Sequence, residues 1–198
     1  NNNNTEQYEV VMLADKDGNI LNSSGAASNI PIAAGEVGGY SHINKFGYSN
    51  NISSLSTIWD GSNIYTYSSS AGTVTVAGSS DDDSAVIEIQ GLDANYNVVV
   101  QDVTLDGEGD GTASTNLIRI FRARVKTPAS GETSNAANLS IRIAGQERAK
   151  MLAGNGQTLM AVYTVPAGKT AYLLNLSLSV DKNVDVIYKL FARPIDDG

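Results

Sequence analysis

Cysteine is absent from the chain. That excludes a disulfide framework, a zinc–thiolate site and a cysteine nucleophile, and it leaves the redox compartment unread. Histidine occurs once, as His42, so a Ser-His-Asp triad would have to use that residue and a His-rich metal site is impossible. Charged residues make up only 17%, against roughly 25% in ordinary soluble domains. The formal net charge is -8. An acidic chain lacks the basic footprint of a nucleic-acid binder and is repelled by anionic membrane surfaces. No nucleic-acid or membrane partner is therefore expected. No apolar run approaches the ~18 residues of a membrane helix. The run Asn1-Asn2-Asn3-Asn4 has neither the basic nor the apolar region of a signal peptide, so none is expected there.

What is present is β-type sequence. With 198 residues the chain can bury a real core without a metal or disulfide staple. From about Ile58 onward, short runs of period two recur between turn residues. They are Ile64 to Tyr67, Thr73 to Val76, Ala85 to Ile89, Asn97 to Leu105, Asn116 to Val125 and Leu139 to Ile143. Leu159 to Val165, Ala171 to Val180 and Val184 to Ala192 complete the series. In Asn116 to Val125, alternation puts Leu117, Arg119, Phe121 and Ala123 on one face, with Ile118, Ile120, Arg122 and Arg124 on the other. The best helix candidate is the short stretch Gly145 to Leu152. Alternation, rather than continuous apolar runs, argues for antiparallel pairing with one wet face. The expectation is an all-β antiparallel β-sandwich, jelly-roll-like, over residues 57–198.

Residues 1–56 differ: Asn, Gly and Ser are frequent and packing signals are weak. Glu9 to Leu13, the turn Asp15 to Asn19 and Ile20-Leu21 read as a short hairpin. The rest reads as an irregular, extended N-terminal arm of the kind that orders against a partner.

The candidate chemical motifs resolve into turns. Asp15 to Asn19 starts like an EF-hand loop, but the twelfth position is Ala26 where a bidentate Glu is required. Asp81-Asp82-Asp83 and the loop Asp106 to Gly111 could hold calcium weakly, yet both are natural hairpin tips. A glycosidase pair would need carboxylates on rigid strands lining a cleft, whereas these acids fall in turns. Gly154 to Thr158 lacks the Gly-Lys-Ser/Thr ending of a phosphate loop. Pro166 to Thr170 contains Gly-Lys-Thr but has Tyr163 in place of the upstream glycine. No catalytic, cofactor or metal residue is assigned, and the chain is read as not an enzyme. Trp59, Tyr65 and Tyr67 could form a sugar-binding platform, with packing as the favoured reading. Three arginines within six residues, Arg119, Arg122 and Arg124, mark either a solvated edge or an interface.

Several segments carry a family resemblance. In order they are His42 to Tyr48, Thr57 to Gly61, Ile64 to Tyr67, Gly91 to Tyr96, Val103 to Gly107, Ile118 to Ala123, Ala153 to Met160 and Tyr163 to Thr170. Together, over residues 42–195, they resemble a family of virion structural proteins of marine and freshwater tailed bacteriophages. The resemblance implies a virion part, on the capsid or the neck and tail surface, without fixing its position. It transfers no catalytic residue. The leading expectation is a capsid decoration or cement protein bound to the major capsid protein or other virion proteins. A neck, tail or fibre component and a carbohydrate- or receptor-binding module are the alternatives. Symmetric self-assembly, for instance as a trimer on a capsid local threefold, would multiply modest contacts. The interface candidates are the arm residues Tyr40, His42, Phe46 and Tyr48, with Arg119, Arg122 and Arg124 on the strand.

Overall fold

A computed structural model describes residues 29–49, 54–61, 63–107, 109–181 and 185–193. The hairpin expected at residues 9–21 and the EF-hand-like turn lie outside them. The described chain is all-β, with two antiparallel sheets and one five-residue helix, Asn29–Ala33, inside the arm read as irregular. The strands are β1 (Val74–Ala77), β2 (Val86–Leu92), β3 (Val98–Thr104), β4 (Gly111–Thr112), β5 (Arg119–Thr127), β6 (Leu139–Ile143) and β7 (Gln146–Met151). One sheet has the order β4-β1-β6-β7 and the other β3-β2-β5.

Turn chemistry sets the local pairing. Between β2 and β3, the Asp93 carboxylate accepts from the backbone N–H of Asn95 (2.8 Å) and Asn97 (2.9 Å). A side chain that mimics a backbone turn in this way is the mechanism behind Asp at turn starts. Between β6 and β7 there are two residues, Ala144 (φ 49°) and Gly145 (φ 78°). Positive φ at both positions is the primed hairpin turn whose twist matches that of the strands.

That turn corrects the expected helix at Gly145 to Leu152: the segment is β7, paired with β6 from Leu139↔Met151 to Ile143↔Gln146. Ala149 and Met151 are buried on one face, a period of two that the helix-forming composition had masked. A second correction concerns β5. Its register against β2 shifts at Gln90/Gly91, so that Gln90 faces Arg122 and Gly91 faces Ile120, which leaves Phe121 as the extra residue of a bulge. Ile120 and Ala123 are therefore both buried, which strict alternation forbids. Gly91 is required here, because a Cβ would lie 2.2 Å from the Arg119 carbonyl oxygen.

Inward residues of both sheets meet in one buried cluster: Val74 and Val76 of β1, Ile87 and Ile89 of β2, Ile120 and Ala123 of β5, Leu139 and Ile141 of β6, and Met151 of β7 among others. Each fully buried Ile or Leu contributes roughly 1.5–3 kcal/mol relative to exposure. Asp82 is fully buried beside this cluster and accepts from the Ala136 and Ala137 N–H groups at 2.7 and 3.0 Å. Asn135, 2% exposed, bonds the Ala137 and Leu152 carbonyls and accepts from the Gly156 N–H, pinning the approach to β6.

Four expected strands form no ladder. Residues 64–67, 159–165 and the described parts of 171–180 and 184–192 are not in strands. Met160 makes a single bridge to Trp59. Trp59 and Tyr65 are buried, with rings edge-on at 5.1 Å, and the Trp59 indole N–H donates to the Asn63 carbonyl. These two residues belong to the core, which leaves the sugar platform without an accessible tryptophan.

Candidate assembly site

The strand-borne arginines have different surroundings. Arg119 opens β5, where the close approach at Gly91 sets the backbone. Its guanidinium carbon lies 5.1 Å from the Tyr67 ring centre and 5.5 Å from that of Tyr96. One terminal nitrogen donates to the Ser68 (2.7 Å) and Ile118 (2.9 Å) carbonyls, while the other reaches the Tyr96 hydroxyl at 3.4 Å. A planar guanidinium can stack on a ring and hydrogen-bond at its rim at the same time, which an ammonium cannot do. Arg148 of β7 holds the same strap from the other sheet. It donates to the Thr66 carbonyl at 2.7 Å, to the Thr66 hydroxyl, and to Ser68 Oγ at 3.1 Å. Residues 66–68 thus tie the two sheets together.

Arg122 and Arg124 each find an acceptor within the chain. Arg122 donates to Gln157 Oε1 at 3.1 Å. Arg124 grips Glu88 through two hydrogen bonds of 2.9 and 2.7 Å. Glu88 is only 8% exposed. The Arg124 hydrogen bonds, then that from Gln90, pull its carboxyl down to about 2. Lys126 pairs with Asp102 on the same outer face.

The aromatic arm lies against that edge. Lys45 donates to the Phe121 carbonyl, and burial, then the nearby Arg122 charge, lowers its ammonium to about 8. Gly47 fits so closely that a Cβ would meet the Ala161 N–H and the Ile58 carbonyl at 2.5 Å. Lys45, Gly47 and Ser49 are half-buried, whereas Tyr40, His42, Phe46 and Tyr48 are exposed. The structure therefore gives the four arm candidates a common outward exposure and leaves the three arginines engaged internally.

Sequence reasoning missed the largest feature as a site. Every described residue from Ala171 to Asp181 and from Asp185 to Arg193 is exposed. Eleven of them are large and apolar: Tyr172, Leu173, Leu174, Leu176, Leu178, Val180, Val186, Ile187, Tyr188, Leu190 and Phe191. None makes a backbone–backbone hydrogen bond to another described residue. The turn preceding the segment and the segment's far end both return to the Arg119 cluster. The Ala167 N–H donates to the Tyr96 carbonyl at 3.0 Å, and Arg193 lies 5.5 Å from the Tyr67 ring centre. The signal was visible as alternation (Leu174, Leu176, Leu178, Val180 between Asn and Ser), but alternation does not reveal whether the strand's partner lies in the same chain.

The acidic loops are used structurally where they are described. Asp82 bonds the backbone as above, and Asp83 accepts from the Gly109 N–H at 3.2 Å, joining the two loops. Among the described residues no three His, Cys, Asp or Glu side chains are grouped to hold a metal ion, and no helix is long and apolar enough to cross a membrane. A shallow depression of about 240 Å³ beside Thr75, Asp110 and Arg142 is smaller than the ~300–1,000 Å³ of small-molecule sites. In comparisons with known proteins, no family model, no curated protein and no solved structure matches this chain.

Proposed function

We propose that this chain is a non-enzymatic structural protein of a tailed-phage virion, working as a decoration or cement protein that binds and stabilises the head shell. The observation that carries the reading is the exposed apolar surface of residues 171–181 and 185–193, held beside the Arg119 cluster through Ala167 and Arg193. Exposed apolar surface on this scale marks an interaction site rather than a monomer's ordinary surface. The body beside it is tied together by internal ion pairs and buried hubs, as suits a part that must keep its shape in many copies. Two sheets sharing one core are compatible with the jelly-roll-like sandwich, which belongs to the same proposal. The aromatic arm at Tyr40, Phe46 and Tyr48 supplies a separate contact surface, and it is this one that faces the major capsid protein or another virion protein.

The test is the copy number of the chain per purified virion, together with the heat resistance of heads lacking it. A ratio to the major capsid protein near one or one-third, with weakened heads, supports cement. A ratio of a few per cent moves the chain to the neck, tail or fibre. Absence from the particle overturns the virion reading.

A further inference from the structure

We infer that residues 171–181 and 185–193 form a self-association element, pairing as β-structure with the same residues of a second copy of this chain. The inference does not rest on the virion reading. It starts from an imbalance: the segment has the composition and alternation of strands, yet its described backbone groups bond no other described backbone and its side chains are exposed. Unpaired strand backbone carrying apolar side chains is a template for another strand.

The size of the surface matches a stable interface. The eleven large apolar side chains offer on the order of 1,000 Å², given full areas of roughly 150–250 Å² for the aromatics and less for the aliphatics. A standard interface takes about 800 Å² from each partner.

The chemistry favours an identical partner. Leu174, Leu176, Leu178 and Val180 alternate with Asn175, Ser177 and Ser179, so one face of the extended chain is wholly apolar and the other small and polar. No residue from Tyr172 to Val180 is charged. Residues 172–180 of two copies can therefore pair antiparallel, edge to edge with their apolar faces on the same side, with no like charges opposed. Such a contact is self-complementary, as a two-fold interface requires. Elsewhere the chain, at a net -8, repels its own copies, so the uncharged stretch is where contact costs least.

The experiment is sedimentation equilibrium on the full chain at micromolar concentration, with hydrogen exchange on the same sample. The expected result is a mass of at least twice 20.8 kDa, with slowed exchange across 171–181 and 185–193. The double variant Leu176→Asp/Leu178→Asp should sediment as a monomer and exchange freely there. Its circular dichroism and Trp59 fluorescence should match the wild type's, because neither leucine contributes to the buried cluster, while its melting temperature falls to that of the unassociated chain. The control Ser177→Thr/Ser179→Thr changes the polar face without adding charge and should keep the oligomer. A monomeric wild type overturns the inference, as does an oligomer that survives the leucine variant or a control that dissociates equally. A wild type that is monomeric alone but still binds heads overturns self-association and leaves the virion reading standing.

Discussion

The guanidinium of Arg119 lies 5.1 Å from the centre of the Tyr67 ring, which Arg193 also approaches. Tyr67 is thus shared between the start of β5 and the far end of the exposed segment. One residue of the sheet fixes the strap at 66–68, the β2–β3 turn through Tyr96, and the root of the segment.

Arg119→Ala should lower the unfolding free energy by about 2–3 kcal/mol, from two lost carbonyl acceptors and the ring contacts. Arg119→Lys should recover less than half of that, because an ammonium cannot stack and bond in one plane. Urea denaturation of both variants checks this. Equal stability of Arg119→Lys and wild type would remove the clasp as a structural element.

Stability should fall in acid through Glu88. Its folded carboxyl is held at about 2 from an ordinary 4.5 by Arg124 and Gln90. A depressed acid contributes stability that is present above its unfolded value and lost as pH falls through the folded one. The window therefore runs from about pH 4.5 down to about 2. Glu88→Gln should flatten the melting temperature across that window while lowering it at neutral pH. A variant whose acid slope matches wild type would assign the slope to other carboxylates.

Ala144 at φ 49° holds a left-handed conformation that costs an L-residue with a Cβ about 1–2 kcal/mol. Ala144→Asn or Ala144→Gly should stabilise the β6–β7 hairpin by about 0.5–1 kcal/mol. Thermal denaturation reads the change directly, and a destabilised glycine variant would contradict the turn.

Trp59 is the sole tryptophan and is 3% exposed, so its fluorescence should be blue-shifted in the folded protein and resist iodide quenching. Trp59→Ala should cost about 3–5 kcal/mol as a core cavity. Ready quenching, or a neutral alanine variant, would return Trp59 to the surface and reopen the sugar platform.

Much of the body is legible from local pattern. Five period-two runs, at residues 73–76, 85–89, 97–105, 116–125 and 139–143, lie on β1, β2, β3, β5 and β6 within a few residues, because alternation of apolar side chains is itself the condition for a half-buried strand. The misread stretch Gly145 to Leu152 is rich in helix formers, but β6 lies two residues upstream across a primed turn and offers a ready ladder, which overrides propensity. The Phe121 bulge was not legible, since it answers the close approach of Gly91 to a carbonyl on another strand. Of the site, Arg119 and the arm aromatics stand out in the sequence as residue types. The clasp does not, because Tyr67, Tyr96 and Arg193 lie 52, 23 and 74 positions from it.

By itself the sequence determined the class of structure: zero cysteines, one histidine and recurring two-residue periods leave an all-β chain with little means for thiol, His-cluster or zinc-thiolate chemistry. Those are properties of composition and of neighbours along the chain. Only the tertiary structure decided which runs have partners. It put 139–143 beside 146–151 and left 171–181 and 185–193 exposed, although both regions alternate equally well. The physical reason is that a strand's stability lies in the backbone groups and the apolar face it meets, and those are supplied from elsewhere in space.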